Sequence, residues 1–169
     1  MKKQLSLIAL LLAVSGSVPI TWAGVTVTFE NPSRYTDFSL NDSKTEAIQK
    51  HLTGELEKYF QSFSKLYLPA SQTLEITVHD IDMAGGYEPW RSPFFTHTRI
   101  IRDIYRPRIE VSYVLRNTHG EVLKQAHETV SDLNYLMKLD AAAYWPNDTL
   151  RYEKAMLREW FRKTFGDQG

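Results

Sequence analysis

The chain has 169 residues and no cysteine, and its 20 lysines and arginines are matched by 20 aspartates and glutamates. Without thiols it cannot form a disulfide framework, a thiolate zinc site or a lipidated cysteine anchor. The even charge argues against nucleic acid as a partner, because phosphate binding draws on a strong basic excess.

Taken in chain order, Lys2 and Lys3 precede an apolar run from Leu5 to Val14, and Thr21-Trp22-Ala23 offers small residues at a cleavage point. The run is about half of the roughly twenty residues that a membrane-spanning helix needs. Residues 1–23 are therefore expected to be a cleavable Sec-type signal peptide, cut after Ala23. The remainder, 24–169, is expected in the periplasm as one soluble domain with no stable membrane insertion. A domain of this size buries about two thirds of its unfolded surface, enough for a core without covalent staples.

Val25, Val27 and Phe29 alternate with polar residues until Asn31-Pro32, the period of a half-buried strand. Ser43-Lys44-Thr45-Glu46 reads as a capping box, and Ile48, Leu52, Leu56, Tyr59, Phe60 and Phe63 then form one stripe of a long helix ending at Leu68-Pro69. A second strand follows with Leu74, Ile76 and Val78 inward, close enough to the helix for a right-handed parallel crossover. Ile109, Val111, Tyr113 and Leu115 mark a third strand, and Asn117-Thr118-His119-Gly120 turns it into a fourth, weaker one at 121–130 that suits a sheet edge. The last helix starts near Asp148, with Leu150, Leu157 and Phe161 on one stripe; Glu153 and Lys154 read as surface charges, with an inward-pairing Glu153 as the alternative. The order β-α-β-β-β-α predicts an α+β two-layer sandwich, a mixed sheet of about four strands with both helices on one face.

Two segments carry candidate chemistry. In a straight strand Val78, Asp80 and Asp82 would share the apolar face, so a bulge, a cation or an arginine must relieve the two carboxylates. Arginine is the expected answer, with at least one of Arg99, Arg102, Arg106 and Arg108 reaching Asp80 or Asp82; Arg106 and Arg108 are the candidate ion-pair partners. Losing Asp82 would then cost on the order of 3 kcal/mol for a partly buried pair and under about 1 kcal/mol for an exposed one.

The second segment is the long connection from Gly86 to Arg108, where Tyr87, Trp90, Phe94, Phe95 and Tyr105 are interleaved with five arginines against only Glu88 and Asp103. Trp90, Arg91, Arg99 and Arg102 are its candidate ligand-binding residues, although the aromatics could equally plug the end of the sandwich. The five histidines show no ligand spacing on one helix, so a histidine zinc site is not expected. No cofactor fingerprint and no catalytic residue is identified.

The opening Val27-Thr28-Phe29-Glu30-Asn31-Pro32 with Tyr35-Thr36-Asp37, then Asp80-Ile81-Asp82-Met83-Ala84-Gly85, Pro107-Arg108-Ile109, and Tyr152-Glu153-Lys154-Ala155-Met156-Leu157 with Trp160 together carry a resemblance over nearly all of the mature chain. The chain resembles the bacterial domain-of-unknown-function family three-thousand-and-sixteen, small exported proteins of Gram-negative bacteria. The resemblance implies an exported domain and no mechanism. Two functions are therefore weighed. The first is a non-catalytic binding or envelope-assembly module whose basic aromatic loop holds an envelope protein, a peptide or an anionic small molecule. The alternative is a divalent-metal-dependent hydrolase using Asp80 and Asp82, with Glu88 or Asp103 completing the shell.

Overall fold

A computed structural model describes residues 24–138 and 147–166; the expected leader lies outside the described residues. Strand β1 (Gly24–Phe29) is followed by helix α1 (Glu46–Tyr67) and strand β2 (Gln72–Asp82). Two short strands, β3 (Gly86–Tyr87) and β4 (Arg99–Ile100), interrupt the long connection. The hairpin of β5 (Arg108–Asn117) and β6 (Val122–Ser131) and the helix α2 (Arg151–Phe165) complete the fold. The architecture is the expected α+β sandwich. Its main sheet runs β1-β2-β5-β6, with β1 parallel to β2 and the remaining pairs antiparallel.

The alternation that marks the strands has a direct cause, since the sheet is covered on one face by both helices. Leu74, Ile76 and Val78 of β2 and Ile109, Val111, Tyr113 and Leu115 of β5 are buried beneath Leu52, Leu56, Phe60 and Phe63 of α1. From α2, Leu157, Phe161 and Phe165 close the layer, with Phe161 stacked 5.3 Å from both Phe63 and Phe165. Strand β6 lies at the edge and shows mostly exposed side chains, which explains its weak pattern.

Three local expectations are corrected. The cap of α1 is Thr45, whose hydroxyl accepts from Ile48 N, while the expected box residue Ser43 pairs its backbone with Leu40. Between them Lys44 folds back, and its ammonium donates to the carbonyls of Tyr35 and Thr36 at 2.8 and 3.2 Å. Asp148 braces the turn before α2, accepting from Leu150 N at 2.9 Å, and the helix itself begins at Arg151. Glu153 and Lys154 are not surface charges: both are buried, because this turn of α2 is enclosed by the sheet, by α1 and by the chain at Ala84. Lys154 donates to Asp148 at 2.7 Å.

Strand β2 carries a bulge. Val78 pairs with Val111 and Asp80 with Glu110, so His79 is an extra residue with no register partner. Val78 and Ile81 are both fully buried while His79, Asp80 and Asp82 are partly exposed. The bulge therefore keeps the aspartates off the core face, where a straight strand would have carried them.

Candidate functional site

The long connection is wired to the body of the protein at two points. The first is Arg99, which grips Asp37 through both guanidinium arms, Nη1 to Oδ2 at 2.7 Å and Nη2 to Oδ1 at 2.9 Å. The same group also donates to the carbonyls of Gly85 (3.0 Å) and Ser39 (3.2 Å) and to Ser39 Oγ (3.1 Å), and it stacks 4.6 Å over the ring of Tyr87. Its side chain is only 13 % exposed. Arg99, expected to face a ligand, is thus fully occupied inside the protein, and its partner is Asp37 rather than Asp80 or Asp82. Beneath it the chain turns at Gly85, whose φ of +81° and close approach to Ile101 and the Ile100 carbonyl leave no room for a Cβ atom.

The second point is Glu88, which is buried and takes three donors. Tyr105 hydroxyl donates to Oε1 at 3.1 Å, and Arg91 and Arg102 both reach Oε2 at 3.3 Å. Two guanidinium groups share this one buried carboxylate, and with Asp103 beside Arg102 and Arg99 held by Asp37 the loop's charges are even. The aromatics follow another course. Trp90 is 72 % exposed, Phe94 91 % and Phe95 42 %, the last two on a 3-10 turn (Pro93–Phe95) capped by Ser92. They do not plug the sandwich.

Asp80 and Asp82 are held separately. Asp80 accepts from Thr36 N and Oγ1, each at 2.7 Å, and has no arginine partner among the described residues. Asp82 faces its register neighbour Arg108 at 3.4 Å, with the two side chains 33 % and 48 % exposed. Asp82 and Arg108 line a cleft of about 480 Å³ with Gly85, Gly86, Tyr105 and Arg106, and Arg106 has no ion-pair partner among the described residues. Burial pushes the Asp82 carboxyl above the usual carboxylate range; Arg108 offsets part of this, and Asp37 and Asp80 add to it. Because the pair is half open to solvent, Asp82→Ala is expected to cost under about 1 kcal/mol in urea denaturation. A loss several times larger would mean that Asp82 carries a contact beyond Arg108.

The proposed hydrolase shell of Asp80, Asp82 and Glu88 or Asp103 does not assemble. Thr36, Arg108 and the two arginines on Glu88 occupy the carboxylates in turn. Among the described residues no three histidine, aspartate or glutamate side chains gather as a ligand set.

A buried carboxyl on α2 supports this region from behind. Glu153 on α2 is 0 % exposed, and its Oε1 accepts from Ala84 N at 2.7 Å while Oε2 has no hydrogen-bond partner among the described residues. Burial raises its carboxyl to about 7, and the Ala84 N–H and the nearby Arg99 counter this only in part. Its position, two residues after Arg151 on an apparently polar turn, favours the surface, and the structure takes the inward alternative.

No described helix is long and apolar enough to cross a membrane. No curated protein matches the chain in sequence. Among solved structures, a dodecamer of a PelC variant from Paraburkholderia phytofirmans is similar at 12 % identity and a TM-score of 0.37, covering 92 % of this chain and 95 % of that one. The model of the protein family described as "Protein of unknown function (DUF3016)" matches residues 23–163. That span takes in every element of the fold, from β1 to all but the last residues of α2, and the chain belongs to this family.

Proposed function

We propose that the protein is a non-catalytic binding or assembly module of the periplasm, and that the 88–105 loop is its docking surface for an envelope protein. The observation that supports this is the pairing of exposure with rigidity. Trp90 and Phe94 stand open on a segment whose ends are fixed by Arg99 on Asp37 and by Arg91, Arg102 and Tyr105 on Glu88. A large aromatic held out of the core costs solvation, and on a preorganised loop it forms the kind of anchor that dominates protein interfaces. The arginines act as supports of the loop, and the exposed aromatics favour a partner with an apolar segment.

A photo-crosslinker placed at Phe94 in cells should capture a discrete envelope protein, whereas one placed at Lys50 on the exposed side of α1 should not. Trp90→Ser combined with Phe94→Ser should reduce recovery of that protein at least about tenfold, the loss expected of an aromatic hot spot. Equal capture from positions 94 and 50, or recovery unchanged in the double variant, would overturn the assignment. Fractionation of the same cells tests the compartment.

A further inference from the structure

The sheet face turned away from the helices bears a line of polar side chains that neither the loop nor the core uses. His79 places Nδ1 2.9 Å from Glu30 Oε2 and Nε2 2.7 Å from Ser112 Oγ. From the opposite side, His127 places Nδ1 2.8 Å from the same Ser112 Oγ and Nε2 2.8 Å from Glu110 Oε1. The two rings lie 5.0 Å apart. Register creates the arrangement, since Ser112 and His127 are direct cross-strand partners and the bulge turns His79 onto their face.

Counting hydrogens shows what the line lacks. A carboxylate only accepts, so each glutamate takes the N–H of its own histidine and thereby fixes the tautomer. With both rings neutral, His79 Nε2 and His127 Nδ1 then direct lone pairs at one hydroxyl, which has a single hydrogen. One nitrogen is satisfied, and the other faces oxygen. Two converging imidazole lone pairs, each ring steadied by a carboxylate on its far nitrogen, form the donor arrangement of a histidine metal site.

We propose that His79 and His127 bind a divalent transition-metal ion, with the Ser112 hydroxyl as a weaker oxygen donor, water in the open positions, and Glu30 and Glu110 as orienting partners. Imidazole donors select zinc, copper or nickel over calcium and magnesium. Both nitrogens already lie within 2.8 Å of the same oxygen, so the three donors converge, and a modest opening of the side chains admits an ion at roughly 2.0–2.1 Å from each nitrogen. The two glutamates offset the charge of the ion. With the His127 side chain 58 % exposed, the ion enters directly from solvent. Nothing in the site depends on the aromatic loop, so the two assignments stand or fall separately.

The test is titration of the untagged chain with Cu²⁺, followed by electron paramagnetic resonance, with Zn²⁺ as competitor. The wild type should show coupling to two imidazole nitrogens. His79→Gln and His127→Gln should each lose one nitrogen and weaken binding at least about tenfold, and Glu30→Gln or Glu110→Gln should weaken it about 10–100-fold while keeping both nitrogens. His51→Gln and His119→Gln should change neither. As a check that needs no variant, Zn²⁺ should shift the ring resonances of His79 and His127 in the nuclear magnetic resonance spectrum of the wild type. Absence of saturable binding, binding unchanged in both histidine variants, or unmoved resonances would overturn the proposal and leave an additional proton as the bridge to Ser112.

Discussion

Replacing Arg99 with alanine is expected to destabilise the protein by about 3–5 kcal/mol, the range for breaking a mostly buried ion pair from one side. The size follows from what is left behind. Asp37 loses both of its charge-assisted bonds, and the carbonyls of Gly85 and Ser39 and the Ser39 hydroxyl lose a donor in a mostly buried region. Arg99→Lys should recover only part of the loss, because an ammonium cannot span two carboxylate oxygens and two carbonyls at once. Urea denaturation followed by circular dichroism measures both variants. A loss under about 1 kcal/mol for Arg99→Ala would place the contact with ordinary surface pairs and remove the rigidity on which the docking proposal depends.

The second large effect is in pH dependence and comes from Glu153. Its carboxyl is raised from 4.5 to about 7 in the folded protein, so between those values the folded chain holds a proton that the unfolded chain has released. Stability from this group is therefore full below the unfolded value and falls as pH rises through the folded one, by on the order of 3 kcal/mol in all. Glu159 acts in the opposite direction and a different window. Its bonds to Lys138 and Lys163 lower its carboxyl to about 2, so its contribution is present above 4.5 and is lost on acidification below that. Unfolding free energies at about pH 5 and about pH 8 should differ markedly in the wild type and much less in Glu153→Gln, whose amide oxygen can still accept from Ala84 N. An identical difference in both proteins would show that Glu153 does not titrate in this window.

The parts of the fold that were legible in the sequence are those where one face meets the core and the other meets water. Val25, Val27 and Phe29, then Leu74, Ile76 and Val78, then Ile109 to Leu115 alternate because only alternate residues are buried beneath α1 and α2. The wiring of the loop had no such signature. Arg99 and Asp37 are separated by 62 positions, and neither has a neighbour that announces the other. The two-residue strands β3 and β4 are too short to show a period. Glu153 misled for a different reason, since a helix enclosed on three sides buries residues that a two-sided helical pattern assigns to solvent. Spacing along one helix carries no information about His79 and His127, which meet across three strands, and only the register brings them to one serine.

The bulge has one further consequence, best seen by imagining the chain one residue shorter. If His79 were deleted, Val78 would still oppose Val111 and Asp80 would still oppose Glu110. The remaining run, Val78-Asp80-Ile81-Asp82, would alternate inward and outward without interruption, as an unbroken pleat requires. The core would lose nothing. β2 thus contains one residue more than its packing can use, and the surplus residue is the histidine that faces Ser112. A strand optimised for folding alone has no reason to keep it, so a His79 deletion that folds normally while no longer binding metal would show that the surplus residue serves the proposed site rather than the fold.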